Sequence, residues 1–172
     1  MASKSPEEHR QQGPSRVSCA VITVSDTRTL ADDRSGQTAL EILQSVGHPV
    51  VHRQIVLDEP TQIQQALQTL LCREDVQAVI LTGGTGLSSR DITVETVSPL
   101  LTKPLPGFGE LFRMLSYQEI GPAAMLSRAT AGLAGRTAVF VLPGSPQAVR
   151  LALEKLIAPE LGHLIGQAHR KA

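Results

Sequence analysis

The sequence TGGTG at residues 82–86 contains the residues of this chain best suited to bind a phosphate group. Glycine adopts positive φ angles and lets a ligand approach the backbone, so consecutive N–H groups can point at phosphate oxygens. Hydroxyl side chains beside the glycines add further donors. The sequence therefore predicts a phosphate cradle made by Thr82, Gly83, Gly84, Thr85, Gly86 and Ser89.

A tight strand-to-helix turn that binds no ligand is the alternative for this loop. The loop lacks the GK[ST] sequence of a P-loop, and Ser89 stands where a dinucleotide-binding fingerprint has its third glycine. The density of glycine and hydroxyl residues nevertheless favours a ligand. We therefore expect a nucleotide or phosphate ester that is bound by neither of these two motifs.

Three aspartates follow the first three predicted strands: Asp26, Asp58 and Asp91. Carboxylates near a phosphate site repel the ligand unless Mg²⁺ lies between them, and Mg²⁺ favours one or two carboxylates together with phosphate oxygens. The aspartates and the glycine loop together predict a metal–nucleotide site. Each aspartate taken alone is equally typical of a helix cap or a turn.

The sequence LPGSP at residues 142–146 predicts a second anion site, at the start of the last helix. Gly144 permits close approach and Ser145 supplies a hydroxyl at a helix N-terminus, between the stiffening residues Pro143 and Pro146. A stiff N-capped turn without a ligand is an equal alternative. No acid–base pair, Ser/His/Asp set or activated thiol is evident. This absence fits phosphoryl or nucleotidyl transfer, since both reactions depend mainly on positioning and charge neutralisation.

Apolar runs rich in β-branched residues alternate with helical patterns along the chain. Strands separated by helices need crossovers, so the pattern predicts an α/β fold with a mostly parallel central sheet covered on both faces, three layers in all. In such sheets ligands bind at the carboxyl ends of the strands, where the unusual loops lie. The small residues of 122–135 are expected to form a helix. The predicted strands are 17–24, 50–57, 76–82 and 137–142, and the other helices begin near residues 36, 60, 93, 107 and 147.

The composition narrows the function classes. Sixteen basic and sixteen acidic residues cancel, which argues against binding of duplex nucleic acid, and an aromatic content of 2% argues against stacking on single strands. No apolar run reaches the length of a membrane span, so we expect no membrane partner and a cytoplasmic protein. Cys19 and Cys72 form no ligand motif and are expected to be buried. Residues 1–15 are predicted to be a disordered polar tail before a single domain over residues 16–172.

The motifs resemble those of the molybdenum-cofactor biosynthesis family typified by the MoaB and Mog proteins and the gephyrin G domain. The resemblance runs from about Val17 to the C-terminus. It is carried by VSD after the first strand, LDE after the second, TGGTGLSSRDIT after the third, PGFGELFRMLSYQEIG and LPGSPQAVRLALEKLI. The resemblance implies a three-layer α/β domain that assembles into trimers, sometimes paired as hexamers.

The same resemblance implies a molybdopterin adenylyltransferase, which binds molybdopterin and ATP with Mg²⁺ and releases pyrophosphate. Carried over by position, the glycine loop binds phosphate, and Asp58 and Asp91 are the catalytic residues and Mg²⁺ ligands. The molybdopterin-binding residues would be Asp26, Pro143, Gly144 and Ser145.

Two other functions fit the sequence. A molybdopterin-binding or carrier paralogue would keep the same loops without adenylylation. A scaffold would use its helices, among them the GFGELFRML segment, to build an oligomer. The sequence leaves open whether a molybdenum-insertion enzyme receives the product directly.

Overall fold

A mixed sheet forms the centre of the protein, and the structure, a computed structural model, describes residues 13–170. Within those residues the sheet has six strands in the order β2-β1-β3-β6-β5-β4. Strands β1, β2, β3 and β6 run parallel, whereas β5 is antiparallel to both β6 and β4. The strand bounds are β1 Cys19–Val24, β2 Val50–Val56, β3 Ala78–Thr82, β4 Lys103–Pro104, β5 Thr130–Ala134 and β6 Thr137–Leu142.

The helices connect the strands and cover both faces of the sheet. A 3₁₀ turn at Ser98–Leu100 follows the third helix, a second at Gly121–Leu126 follows the fourth, and a π-helical segment at Leu153–Ile157 joins the last two. The helix bounds are α1 Arg34–Ser45, α2 Pro60–Leu71, α3 Thr93–Val97, α4 Pro106–Ile120, α5 Pro146–Ala152 and α6 Ala158–Ala168.

Two hydrophobic cores lie on opposite faces of the sheet. Alternate residues of a strand point to opposite faces, and in β1 Val21 joins the core under α1, α4, α5 and α6, while Ile22 joins the core under α2 and α3. All six residues of β1 are buried, as are all residues of β3 and β6. The predicted three-layer α/β fold with a mostly parallel sheet is confirmed.

Local sequence signals explain several of the element ends. Asp33 caps α1 by accepting the Gly36 N–H, and Pro60 begins α2, where a missing N–H has no cost. Helix α4 ends at Gly121, which has a φ of 62° that favours glycine. The order β2-β1-β3 means that the chain reverses its winding between β1 and β3, which opens a crevice at their carboxyl ends.

The expected helix over residues 122–135 is wrong. Gly121–Leu126 forms a 3₁₀ turn, and Thr130–Ala134 is β5, which pairs along its whole length with β6. Gly132 takes part because the β4 backbone leaves no space for a side chain there: an ideal Cβ would lie 2.7 Å from the Lys103 carbonyl oxygen. Pairing with β4 and β6 therefore overrides the weak local preference of these small residues.

The two cysteines differ in burial, and the N-terminal segment packs against the last helix. Cys19 is buried in β1 as expected, but Cys72 is exposed, because it follows the last residue of α2 on the surface. The predicted tail lies outside the described residues from position 1 to 12, and Gly13 already packs against Gly162 of α6. In residues 13–170, no helix has the length and apolarity needed to cross a membrane.

Candidate functional site

The glycine loop leaves β3 with a backbone that requires glycine. Gly83 and Gly84 have φ angles of 101° and 61°, which side-chain-bearing residues rarely adopt. Within the described residues, the N–H groups of Gly84, Thr85 and Gly86 donate to no protein acceptor. Consecutive backbone N–H groups without a protein acceptor can bind an anion when they point to the same side.

Two aspartates lie against the glycines of this loop. An ideal Cβ on Gly84 would lie 2.8 Å from Asp58 Oδ1, and one on Gly86 would lie 2.7 Å from Asp91 Oδ2. Asp91 Oδ2 accepts the Ser88 N–H at 3.0 Å, so it closes the loop on itself and does not cap α3. The structure therefore brings Asp58 and Asp91 to the glycine loop, although they are 33 positions apart in the chain.

The environment of Asp58 disfavours its negative charge. Burial raises the pKa of Asp58 above its ordinary value, and the nearby charges of Asp91 and Asp26 raise it further. The Ile92 N–H and the Arg90 guanidinium oppose these effects without reversing them. A carboxylate whose pKa is raised by burial and neighbouring charges is typical of a functional site.

Asp26 lies beside this pair, and both oxygens of its carboxylate have partners within the protein. One of its oxygens accepts the Asp58 N–H at 3.1 Å, and the other pairs with Arg90 at 2.7 Å. Among residues 13–170, no three His, Cys, Asp or Glu side chains come together as a metal site. Any cation here would need phosphate or water oxygens in addition to Asp58 and Asp91.

Two buried oxygen atoms beside Gly84 lack a hydrogen-bond partner within the described residues: Asp58 Oδ1 and Thr93 Oγ1. Buried polar groups are normally satisfied, and orphaned ones indicate a missing group. An orphaned carboxylate and an orphaned hydroxyl are both hard oxygen donors, which suit Mg²⁺. The residues present therefore fit the cation that the sequence predicts.

A cavity of about 360 Å³ opens at the crevice between β1 and β3. Gly83 and Thr82 line it from the glycine loop, and Gly144 lines it from the loop after β6. Arg28 and Arg34 add positive charge, and Arg34 and Ser35 begin helix α1, whose N-terminus favours anions. The cavity suits a small phosphorylated ligand.

Asp33 in the cavity wall is held by a buried network. Burial alone would raise its pKa, but hydrogen bonds from Gly36, Thr23, Arg53 and Ser35 outweigh burial and hold the pKa of Asp33 below its ordinary value. Thr23 Oγ1 donates at 2.7 Å, and the Arg53 guanidinium lies 3.0 Å away. Because Arg53 neutralises this carboxylate, Asp33 does not cancel the positive charge of the cavity.

The loop after β6 packs directly against the glycine loop. An ideal Cβ on Gly144 would lie 3.2 Å from the Cα of Gly83, and Thr82 Oγ1 donates to the Pro143 carbonyl at 3.0 Å. Ser145 caps α5 by accepting the Ala148 N–H at 3.1 Å, and it is exposed. Its hydroxyl proton remains available to a ligand.

Arg128 bridges both ends of the glycine loop from the segment before β5. Its Nε donates to the Thr85 carbonyl at 3.0 Å and its Nη2 donates to the Asp91 carbonyl at 2.9 Å. The same guanidinium forms an ion pair with Glu95 of α3, which lowers the pKa of Glu95. The next residue, Ala129, packs against α4: an ideal Cβ on Gly109 would lie 2.8 Å from the Ala129 carbonyl oxygen.

The sequence predictions included the loops but not the basic residues around them. Ser89 is exposed on the glycine loop, and Asp26 lies with the aspartate pair and not in the cavity wall. The segment SDTRTLADDRSG has the composition of a turn, and nothing in it indicates that Arg28 and Arg34 line a cavity. No local signal distinguishes Arg128. The residues that were missed are Arg28, Asp33, Arg34, Arg53 and Arg128.

Comparison with known protein families identifies the family of this chain. The sequence pattern described as "Probable molybdopterin binding domain" matches residues 20–163. The chain belongs to this molybdopterin-binding family. Molybdenum cofactor biosynthesis protein B of Bacillus anthracis is 53% identical over 165 residues, which cover 95% of this chain and 98% of the relative. The same protein of Bacillus subtilis is 50% identical over 167 residues, with coverages of 96% and 98%.

Solved structures of molybdopterin-binding family members have the same architecture. A crystal structure of a molybdenum cofactor biosynthesis protein B has a TM-score of 0.90 and 53% identity, with 92% of this chain and 99% of that chain covered. The tungsten cofactor synthesizing protein MoaB from Pyrococcus furiosus has a TM-score of 0.82 and 40% identity, with coverages of 91% and 99%. These relationships support a role of the chain in molybdenum cofactor biosynthesis.

Proposed function

We propose that this protein is a molybdopterin adenylyltransferase. In the proposed reaction, an oxygen of the terminal phosphate of molybdopterin attacks the α-phosphorus of ATP. The P–O bond between the α-phosphorus and the bridging oxygen breaks, and pyrophosphate leaves. Adenylylated molybdopterin is the second product.

One observation carries this proposal: the glycine loop joins the electropositive cavity to the aspartate pair. Gly83 lies in the cavity wall, and the next residue, Gly84, lies against Asp58. A phosphate bound in the cavity would thus be adjacent to a nucleotide phosphate on the free N–H groups of Gly84, Thr85 and Gly86. Such placement of two reactants is a large part of catalysis in nucleotidyl transfer.

Each group in the site has a proposed task. Asp58 and Asp91 would hold Mg²⁺, which supplies neutralisation of the charge that develops on the nucleotide phosphates. Arg28 and Arg34 would attract the molybdopterin phosphate into the cavity, and the Ser145 hydroxyl would donate to it. The loop N–H groups would stabilise the charge on the phosphate oxygens in the transition state.

Pyrophosphate release from ATP and Mg²⁺, measured with and without molybdopterin, tests the proposal. Wild type should require molybdopterin for release, and Asp91→Asn should lose at least about 100-fold in turnover. Asparagine keeps an oxygen that can accept the Ser88 N–H, so the variant should fold normally, which circular dichroism would check.

Two results would contradict the proposal. Undiminished turnover in Asp91→Asn would exclude the metal-placing role of Asp91. Molybdopterin binding by wild type without any pyrophosphate release would instead support a carrier paralogue.

The exposed face of α4 supports a homo-oligomer, a trimer or a hexamer, in the working protein. Leu111, Met114 and Tyr117 are about half exposed or more on this helix at three-residue spacing, and Met125 in the following turn is 77% exposed. Exposed apolar stripes of this kind mark protein interfaces. Multi-angle light scattering should give a mass of three or six chains, and Met114→Glu with Tyr117→Glu should shift it to the monomer.

A further inference from the structure

Arg128 controls which way two peptide groups of the glycine loop face. Its guanidinium takes the carbonyl oxygens of Thr85 and Asp91, which lie at the two ends of the exposed part of the loop. In a planar trans peptide the carbonyl oxygen and the following N–H point in opposite directions. The N–H groups of Gly86 and Ile92 must therefore point away from Arg128.

Both of these N–H groups face the site. The Ile92 N–H lies close enough to the Asp58 carboxylate to lower its pKa, and the Gly86 N–H belongs to the free donors of the loop. Gly86 also lies against the Asp91 carboxylate, where an ideal Cβ would be 2.7 Å from Oδ2. The two peptides that Arg128 holds are thus the ones that present donors to the aspartate pair and to a ligand.

Arg128 is itself fixed from two sides. Glu95 of α3 pairs with its guanidinium, and the buried residue Ala129 anchors the backbone against α4. A planar guanidinium with several donors can bind two carbonyls and one carboxylate at once, whereas a lysine ammonium on a flexible stem cannot reproduce that fixed geometry.

We propose that Arg128 is a positioning residue for the proposed adenylyl transfer, which acts by orienting the Gly86 and Ile92 peptides toward the nucleotide phosphates and Asp58. It does not touch the substrate. This inference rests on the proposed function for the identity of the ligand, but the orientation of the two N–H groups is a property of the free protein.

The first measurement is the orientation of the two N–H bonds in the free protein, by residual dipolar couplings. In Arg128→Met and Arg128→Lys, the couplings of Gly86 and Ile92 should depart from their wild-type values, while those of Ile80 in β3 and Val139 in β6 remain unchanged. Arg136→Met is the matched control, because Arg136 is exposed in the turn between β5 and β6. Wild-type couplings at Gly86 and Ile92 in the lysine variant would overturn the inference, even if the methionine variant failed to fold.

The second measurement is binding of α,β-methylene-ATP with Mg²⁺, which cannot react. The dissociation constant should rise at least about tenfold in both Arg128 variants, as expected from the loss of one charge-assisted hydrogen bond between the Gly86 N–H and a nucleotide phosphate. It should not change in Arg136→Met. Glu95→Gln should bind within about twofold of wild type, because the two carbonyl contacts remain. If wild type does not bind the analogue, the proposed function fails while the dipolar couplings still decide the role of Arg128. Unchanged affinity in both Arg128 variants, with wild type binding, would overturn that role.

Discussion

The carboxylate of Asp58 lies against the Cα of Gly84, with both of its oxygens less than 3 Å from where a Cβ would stand. The glycine is therefore required for two separate reasons, its positive φ and the absence of space. Gly135, in the turn between β5 and β6, has nearly the same φ of 62° but no atom within 4 Å of an ideal Cβ. Substitutions at these two positions therefore distinguish the effect of backbone strain from the effect of steric contact.

Gly84→Ala should abolish pyrophosphate release, whereas Gly135→Ala should leave it unchanged. Both variants should lose about 1–3 kcal/mol of unfolding free energy from the strained backbone. Gly84→Ala should lose more, because its Cβ would lie 2.2 Å from Thr93 Oγ1 and 2.8 Å from Asp58 Oδ1, so both side chains must move. Urea unfolding and the pyrophosphate assay measure the two effects. Equal turnover in both variants would show that the contact between Gly84 and Asp58 has no part in the reaction.

Asp58→Asn should lose turnover and become more stable than wild type at neutral pH. The pKa of Asp58 is raised in the folded protein, so its ionisation destabilises the fold as the pH rises above the ordinary value of 3.8. The variant removes this penalty, and its advantage should disappear as the pH falls below that value. Thermal unfolding from pH 3.5 to pH 7 checks the trend, and a variant less stable than wild type at pH 7 would contradict it.

Asp33→Asn should destabilise the fold by about 3 kcal/mol, because it leaves Arg53 partly buried without its charge partner. The pKa of Asp33 is lowered in the folded protein, so its contribution is fully present above the ordinary value of 3.8 and is lost as the pH falls below it. Asp75→Asn is the control, because it breaks an exposed ion pair with Arg73 and should cost less than about 1 kcal/mol. Similar losses in the two variants would argue against the buried network.

His48 should make the protein less stable in mild acid. Burial lowers its pKa, against a smaller opposing contact with the Ala158 backbone, and its Nδ1 accepts the Val17 N–H at 3.1 Å, which requires an unprotonated nitrogen. The stabilisation is complete above the ordinary value of 6.5 and falls as the pH drops below it. His48→Gln should flatten the dependence of unfolding free energy on pH between 6.5 and 5. A steep dependence that persists in His48→Gln would assign the effect to another group.

Strands and loops that depend on local composition were predictable from the sequence. The buried parallel strands have continuous apolar runs. The glycines of TGGTG and LPGSP indicate directly that the backbone there must be flexible or closely approached. Strand β5 was not predictable, because Gly132 and its small neighbours become a strand only through pairing with β4 and β6. Arg128 was not predictable either, since it acts on Thr85, 43 positions away.

The basic cavity shows a different limit of sequence reasoning. Arg28 and Arg34 lie in a segment whose composition indicates only a turn, and their common direction follows from the crevice between β1 and β3. Asp33 has the residue type of a catalytic acid but serves as a helix cap and the partner of Arg53. The roles of neighbouring aspartates in this chain are decided by burial and partners, which spacing alone does not reveal.

The carboxylate oxygen of Asp58 that lacks a hydrogen-bond partner in the described residues has an evolutionary consequence. On the proposed function, a lineage that exchanged Asp58 for asparagine would lose turnover while its folded state became more stable, so selection for folding would not oppose the change. The cavity would survive, because the independent network around Asp33 shapes it. On the same proposal, binding-only descendants would be a single substitution away, and they would inherit the pocket.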